Sequence, residues 1–128
     1  MAAAPVGADI ESAATRQRGG AVDLTGRLHP DERAAIAALP EAVREEAFLS
    51  CWVRKEAYLK GIGTGLPGGL ATHHVGLAER LAPDPRVPDG WALADLPAPP
   101  GYQAAVAVRA LGPGAPPPEV TVARLRLG

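Results

Sequence analysis

The hydrophobic pattern near the N-terminus predicts one short strand. Between Pro5 and Ala13, apolar residues alternate with polar ones, and this alternation places Asp9 and Glu11 on the same face. Two carboxylates on one strand face repel each other unless a cation lies between them. Magnesium sites in proteins commonly combine one or two carboxylates with waters and phosphate oxygens. A solvated strand face explains the same pair, so the pattern alone leaves both interpretations open.

Helical periodicity follows in two segments. The segment from His29 to Leu39 carries two acids in its first turn and stops at Pro40, which predicts a short helix. The segment from Glu41 to Lys60 has a mostly apolar stripe at steps of three and four, which predicts the longest helix of the chain. The stripe consists of Val43, Ala47, Phe48, Cys51, Trp52, Lys55 and Leu59, and Gly61, Gly63 and Gly65 follow it.

The remainder of the chain predicts strands separated by turns rich in proline and glycine. The candidate strands are Thr72–Leu77, Trp91–Leu96, Tyr102–Leu111 and Val120–Leu127. Together with the helices they predict an α+β fold, in which a small, mostly antiparallel sheet packs on a long helix. We expect a single domain over residues 1–111, followed by a proline-rich linker and a C-terminal strand or tail over residues 112–128.

Composition narrows the class of protein. The chain has 128 residues, of which 47% are hydrophobic, so it can bury a core. A net charge of −1 disfavours nucleic-acid binding by bulk electrostatics. We expect no membrane span, because no apolar run is long enough. The single cysteine, Cys51, cannot form an internal disulfide, which predicts a reducing compartment and a cytoplasmic location.

The two lysines are unusual in a chain that has eleven arginines. Lys55 and Lys60 both lie in the long helix, on either side of Glu56. Retaining lysine at these positions suggests a need for a compact ammonium group instead of a planar guanidinium. An exposed helix face, with Glu56 and Lys60 as an ordinary pair four residues apart, is an equally simple interpretation.

Four segments match the motifs of one enzyme family. Val6–Glu11 matches the strand motif V-G-x-D-[IV]-E, and Trp52–Leu66 matches W-x-x-K-E-A-x-x-K-x-x-G-x-G-L at every fixed position. Leu28–Pro40 and Leu96–Val108 also look like segments of this family. On these motifs the chain resembles the 4′-phosphopantetheinyl transferases, and specifically their surfactin-type branch. The resemblance covers roughly residues 5 to 110 and implies the fold of one half of such an enzyme.

The chain departs from that branch in length. Surfactin-type enzymes usually carry two similar halves, and this sequence is similar to the C-terminal half alone. The N-terminal half, with a His-Ser segment that helps to hold coenzyme A, has no counterpart here. The other branch, the holo-acyl-carrier-protein synthases, has chains of about this length that trimerise with active sites between subunits. The resemblance therefore implies a homo-oligomer, either a trimer or a dimer, if the chain is not cut from a longer polypeptide.

The resemblance also implies a reaction. The family transfers 4′-phosphopantetheine from coenzyme A to a serine of an acyl, peptidyl or polyketide carrier protein, with Mg²⁺, and releases 3′,5′-ADP. By resemblance Asp9, Glu11 and Glu56 hold the metal, and Glu56 also acts as base for the serine. Lys60 stabilises and protonates the leaving phosphate, and both Lys60 and Lys55 contact coenzyme A phosphates. The alternative is an incomplete or non-catalytic half-domain that binds a carrier protein or Mg²⁺ within a larger synthase.

A docking surface for the carrier protein is a further expectation. Carrier proteins are typically acidic around their serine, and basic residues follow the first strand. Arg16, Arg18 and Arg27, together with Leu24 and Leu28, are the candidates. A solvated loop with core leucines explains these residues equally well.

Overall fold

The structure, a computed structural model, is described for residues 5–12, 25–63, 70–82, 84 and 86–110. Its elements in chain order are β1 (Val6–Ser12), α1 (Pro30–Ala37), α2 (Glu41–Ile62), β2 (Trp91–Leu96) and β3 (Tyr102–Arg109), with short 3₁₀ turns at Thr25–Arg27 and Leu70–Thr72. The fold is α+β, with an antiparallel sheet that packs on the long helix α2. This confirms the predicted fold class. None of the helices in these ranges is long and apolar enough to cross a membrane.

The sheet has β3 at its centre, with β1 and β2 on either side in the order β1-β3-β2. Both pairings are antiparallel, and Asp9 of β1 lies opposite Ala105 of β3. Because successive residues of a strand face opposite sides, Gly7, Asp9 and Glu11 share one face of β1. That face packs on α2, whereas the apolar face with Val6 and Ile10 is exposed, which is the reverse of what an apolar–polar alternation ordinarily predicts.

The long helix supplies most of the core. Its buried apolar side chains meet the inner face of the sheet and the segment that precedes β2. The members of this cluster include Leu28, Phe48, Cys51, Val53, Ala57, Val75, Leu77, Trp91, Ala105 and Ala107. Each large apolar side chain that is removed from water stabilises the fold by roughly 1.5–3 kcal/mol. Most of the predicted stripe of α2 therefore lies in the core, but Val43 and Leu59 are outside this cluster, and Val53, Ala57 and Tyr58 are core residues that the stripe did not include. Lys55 is fully buried.

Two glycines let β1 lie directly against α2. The backbone of Gly7 lies so close to the carbonyl of Ala57 and the backbone of Gly61 that any Cβ on Gly7 would overlap both. A Cβ on Gly61 would lie 2.7 Å from a ring carbon of Trp91. Side chains normally hold packed elements apart, and their absence here brings Asp9 near the C-terminal end of α2.

The structure corrects the predicted bounds of several elements. The long helix continues past Lys60 to Ile62 and ends at Gly63, whose φ of 80° is the left-handed conformation typical of helix C-termini. The strand over Tyr102–Leu111 ends at Arg109. The residues 111–128, with the predicted linker and C-terminal strand, lie outside the described residues.

The predicted strand Thr72–Leu77 is wrong. This segment is a 3₁₀ turn followed by irregular chain, although its apolar pattern fits a strand. The reason lies in its backbone hydrogen bonds, which go to side chains instead of a neighbouring strand. The amides of Val75 and Gly76 donate to the Glu32 carboxylate, and the carbonyl of Val75 accepts from Arg54. Once side chains satisfy these groups, no strand partner is needed.

Candidate functional site

The first part of the site is an ion pair between β1 and the last turn of α2. The Lys60 ammonium donates to Oδ1 of Asp9 at 2.7 Å. The Asp9 side chain is only 7% exposed, whereas that of Lys60 is 52% exposed. The other oxygen of Asp9, Oδ2, is buried and has no hydrogen-bond partner among the described residues. Since buried polar oxygens are normally satisfied, a bound ion, a water or the protonated carboxyl of Glu11 would complete this site.

Two further carboxylates surround this pair. Burial, followed by the negative charge of Asp9, raises the pKa of Glu11 and that of Glu56 above their usual range. The hydrogen bond to Asp9 raises the pKa of Lys60, and the charges of all three acids contribute in the same direction. The structure thus brings Asp9, Glu11, Glu56 and Lys60 close enough to influence each other's ionisation.

The donor set fits a divalent cation that arrives with a phosphate. Within the described ranges, no three histidine, cysteine, aspartate or glutamate side chains converge closely enough to form a ready-made metal site. Mg²⁺ does not require such a cage, because it commonly takes one or two carboxylates and completes its shell with waters and substrate phosphates. The buried, unsatisfied Oδ2 of Asp9 and the neighbouring Glu11 and Glu56 provide oxygens of this kind.

Lys55 does not lie in this cluster. Its side chain is fully buried, its Nζ lies 2.6 Å from Oε1 of Glu32, and it also donates to the carbonyl of His73. The ammonium therefore has no open side on which a coenzyme A phosphate could bind in this conformation. This differs from the role that the motif implies for Lys55, and the physical reason is the carboxylate of Glu32.

Sequence reasoning missed Glu32. Its position three residues after His29, at a helix start, is the signature of a capping box, and the structure contains that motif. A capping residue is ordinarily at the surface, so the capping motif does not indicate that Glu32 is fully buried against α2. The only hint was the lysine within the apolar stripe, since a buried ammonium requires a buried partner.

The docking candidates are only partly within the described residues. Arg27 is exposed at the end of the first 3₁₀ turn, where a partner could reach it. Leu28 is fully buried in the core and is not available for docking. The candidates Arg16, Arg18 and Leu24 lie outside the described residues.

A cavity of about 470 Å³ lies along β2, at the opposite edge of the sheet from β1. It is lined by Arg54, Glu79, Asp84, Val87, Trp91, Ala92, Leu93, Ala94 and Asp95. Arg54 is buried and paired with Asp95, and hydrogen bonds from Arg86 hold the pKa of Asp84 well below its usual range. The lining is therefore acidic, which disfavours a pyrophosphate group.

Comparison with known families decides the class of protein. Residues 5–107 match the model of the 4′-phosphopantetheinyl transferase superfamily. The chain belongs to this superfamily. The match spans β1, both helices and β2, and it contains every residue of the Asp9 cluster. No curated protein matches the chain. Membership indicates a transferase of phosphopantetheine, with coenzyme A as the general donor and carrier proteins as the general acceptors.

Proposed function

We propose that this chain transfers 4′-phosphopantetheine from coenzyme A to a serine of an acyl, peptidyl or polyketide carrier protein in the cytoplasm. The serine Oγ forms a bond to the β-phosphorus of coenzyme A, and the bond from that phosphorus to the bridging oxygen breaks. The products are the holo-carrier protein and 3′,5′-ADP. The observation that carries the proposal is the buried, unsatisfied Oδ2 of Asp9, which lies beside Lys60 and near two further carboxylates.

Asp9, Glu11 and Glu56 would hold Mg²⁺ in this proposal. The ion would neutralise pyrophosphate charge and orient the β-phosphate for in-line attack. The charges of these carboxylates support the assignment, because Asp9 already raises the pKa of both glutamates by repulsion. A cation bound among them removes that repulsion.

Glu56 is the proposed proton acceptor for the carrier serine. Burial and the charge of Asp9 raise its pKa, so its carboxylate accepts a proton more readily than an ordinary glutamate. The serine proton thus moves to Glu56 as the new oxygen–phosphorus bond forms.

Lys60 is proposed to bind phosphate oxygens and to stabilise the leaving 3′,5′-ADP. Its side chain is half exposed and extends from the end of α2, so a ligand can reach it. The hydrogen bond to Asp9 raises its pKa, which keeps the ammonium charged. A permanently charged group suits electrostatic stabilisation better than proton donation.

A homo-oligomer with coenzyme A between subunits is the second part of the proposal. The outer face of the sheet, opposite the face with Asp9, supports self-association, because the strand register places mostly apolar and no charged residues there: Val6, Ala8, Ile10, Ser12, Ala92, Ala94, Leu96, Tyr102, Ala104, Val106 and Val108. Val6 and Ile10 are 56% and 55% exposed. A second copy would cover such an uncharged face without leaving any charge buried. Light scattering at micromolar concentration should give a trimer or a dimer, and a monomer that still modifies a carrier protein would contradict this part alone.

Mass spectrometry tests the activity. An apo carrier protein incubated with this chain, coenzyme A and Mg²⁺ should gain one phosphopantetheine group. A carrier protein with its serine replaced by alanine is the matched control and should gain nothing. No mass gain on any carrier tested, while coenzyme A or Mg²⁺ still raises the unfolding midpoint, would instead support a non-catalytic half-domain.

A further inference from the structure

The ion pair between Glu32 and Lys55 is the most enclosed polar feature of the described residues. Both side chains are fully buried, and Oε1 of Glu32 accepts from the Lys55 ammonium and from the amide of His29. Oε2 of Glu32 accepts from the amides of Val75 and Gly76 at 2.8 and 2.9 Å. One carboxylate therefore connects the start of α1, the middle of α2 and the segment before β2.

Such a pair is not explained by stability. Removing two charges from water costs several kcal/mol per ion, and well-packed apolar residues of similar volume often stabilise a fold as well or better. The pair also prevents Lys55 from reaching a phosphate, unless the bond to Glu32 breaks and leaves that carboxylate buried without its cation. A role in fixing geometry accounts for both observations.

A continuous set of contacts leads from this pair to the other face of α2. Lys55 donates to the carbonyl of His73, whose ring lies 5.5 Å from that of Tyr58. The Tyr58 ring meets Trp91 edge-on at 5.1 Å. The Trp91 ring in turn lies directly over Gly61, where no Cβ could fit. The position of His73 therefore affects how closely Trp91 packs on the end of α2.

The last contact in this set adjoins the candidate site. Gly61 lies against Gly7, two residues before Asp9 on β1, and one residue after Lys60 on α2. We propose that Glu32 and Lys55 are positioning residues, which fix the segment 73–76 on α2 and thereby the separation of Asp9 from Lys60. Their effect on transfer rests on the proposed function, whereas their effect on the structure does not.

Steady-state kinetics on matched variants tests this role. Lys55→Met and Glu32→Gln should each lower kcat about tenfold and raise the half-saturating Mg²⁺ concentration, with KM for coenzyme A unchanged. The double variant should lose less than the sum of the two single losses, because no charge is then left buried without its partner. If a single variant fails to fold, the double variant is compared with wild type directly, and it should show a lower kcat with KM for coenzyme A unchanged. Arg80→Met, which breaks the exposed pair with Glu46, is the control and should behave as wild type.

Other outcomes overturn the proposal. A large increase in KM for coenzyme A in Lys55→Met, with none in Glu32→Gln, would make Lys55 a phosphate ligand. Folded single variants with wild-type kcat would also refute the role.

Amide hydrogen exchange provides a readout that is independent of activity. The amides of Val75 and Gly76 should exchange faster in Glu32→Gln and in Lys55→Met, and in both variants the amide of Asp9 should respond to Mg²⁺ only at higher concentration than in wild type. If the wild-type protein transfers nothing, the proposed function fails, and these amide measurements alone decide the positioning role. Unchanged exchange at Val75 and Gly76, with an unchanged Mg²⁺ response at Asp9, would refute it.

Discussion

The helix α2 carries two lysine–carboxylate pairs that have nearly equal N–O distances but differ in burial and in their hydrogen-bond partners. Lys55 lies 2.6 Å from Glu32, and Lys60 lies 2.7 Å from Asp9. The two lysines are five residues apart on α2, which places them on faces about 140° apart. The first pair is fully buried, whereas the ammonium of the second is half exposed.

The difference lies in how completely each carboxylate is satisfied. Both oxygens of Glu32 accept hydrogen bonds, so nothing further can bind there without a loss. Asp9 retains a buried oxygen with no partner in the described part of the chain, and it repels two neighbouring glutamates. A satisfied cluster stabilises one conformation, whereas an unsatisfied one costs stability unless a ligand completes it. The comparison therefore supports the proposed positioning role of Glu32 and Lys55 and the proposed ligand-binding role of Asp9 and Lys60.

The largest expected effect is on the transfer rate, through the cluster of Asp9, Glu11, Glu56 and Lys60. Glu56→Gln should lower the transfer rate by about 10²–10⁴-fold, because the amide cannot accept the serine proton. The fold should survive, since other residues of α2 form the core. Rates come from the mass of the carrier protein over time, and circular dichroism checks the fold. Loss of folding on this nearly isosteric change would give Glu56 a structural role instead.

The next largest effect is a difference in how much the two pairs contribute to the free energy of unfolding. Glu32→Gln should lower the free energy of unfolding by about 3–5 kcal/mol, because it leaves the buried Lys55 ammonium without a countercharge. Asp9→Asn should change it by less than about 1 kcal/mol, because loss of the bond to Lys60 is offset by relief of repulsion. Urea unfolding of both variants measures this. Equal losses of unfolding free energy in the two variants would mean that the two pairs contribute equally to stability, which contradicts this comparison.

Within the cluster, Asp9 should matter more than Glu11. Asp9 is almost fully buried, binds Lys60 and has the unsatisfied oxygen, whereas Glu11 lies at its edge. Asp9→Ala should therefore reduce activity and alter its Mg²⁺ dependence more than Glu11→Ala, by about tenfold. Titrating Mg²⁺ in the transfer assay compares them. Negligible effects of both substitutions would contradict the metal assignment.

A smaller effect is expected in how stability depends on pH. The pKa values of Glu11 and Glu56 are higher in the folded protein than the usual 4.5, so folding favours their protonated forms. Their contribution to stability is present at low pH and is lost as pH rises through the folded values. The pKa of Asp84 is shifted in the opposite direction, because hydrogen bonds from Arg86 lower it. The contribution of Asp84 to stability is therefore present at neutral pH and is lost only as pH falls below about 3.8. Above pH 4.5, the unfolding midpoint of the Glu11→Gln/Glu56→Gln variant should fall less steeply with pH than that of wild type. An equal slope in the two proteins would contradict the close approach of Asp9, Glu11 and Glu56.

Sequence reasoning succeeded where local pattern decides structure. The alternation around Asp9 predicts that it shares a face with Glu11, and the stripe of Glu41–Lys60 predicts the long helix, because both depend on neighbours along the chain. It failed for Thr72–Leu77, whose backbone is satisfied by side chains of both helices. It also failed to find Glu32, because a contact between residues 32 and 55 leaves no periodic signal. The motif directed attention to Lys55, but only the fold reveals its partner.

The most direct test of the account is whether Mg²⁺ stabilises the protein through Asp9. Relief of the repulsion among Asp9, Glu11 and Glu56 should raise the unfolding midpoint at pH 7, by the equivalent of about 1.4 kcal/mol at ten times Kd. The Asp9→Asn variant should show little or no shift, and Glu32→Gln should still show one at higher concentration. Potassium chloride at equal ionic strength controls for screening. No shift in the wild-type protein, or the same shift in Asp9→Asn, would contradict the claim that this cluster binds a cation.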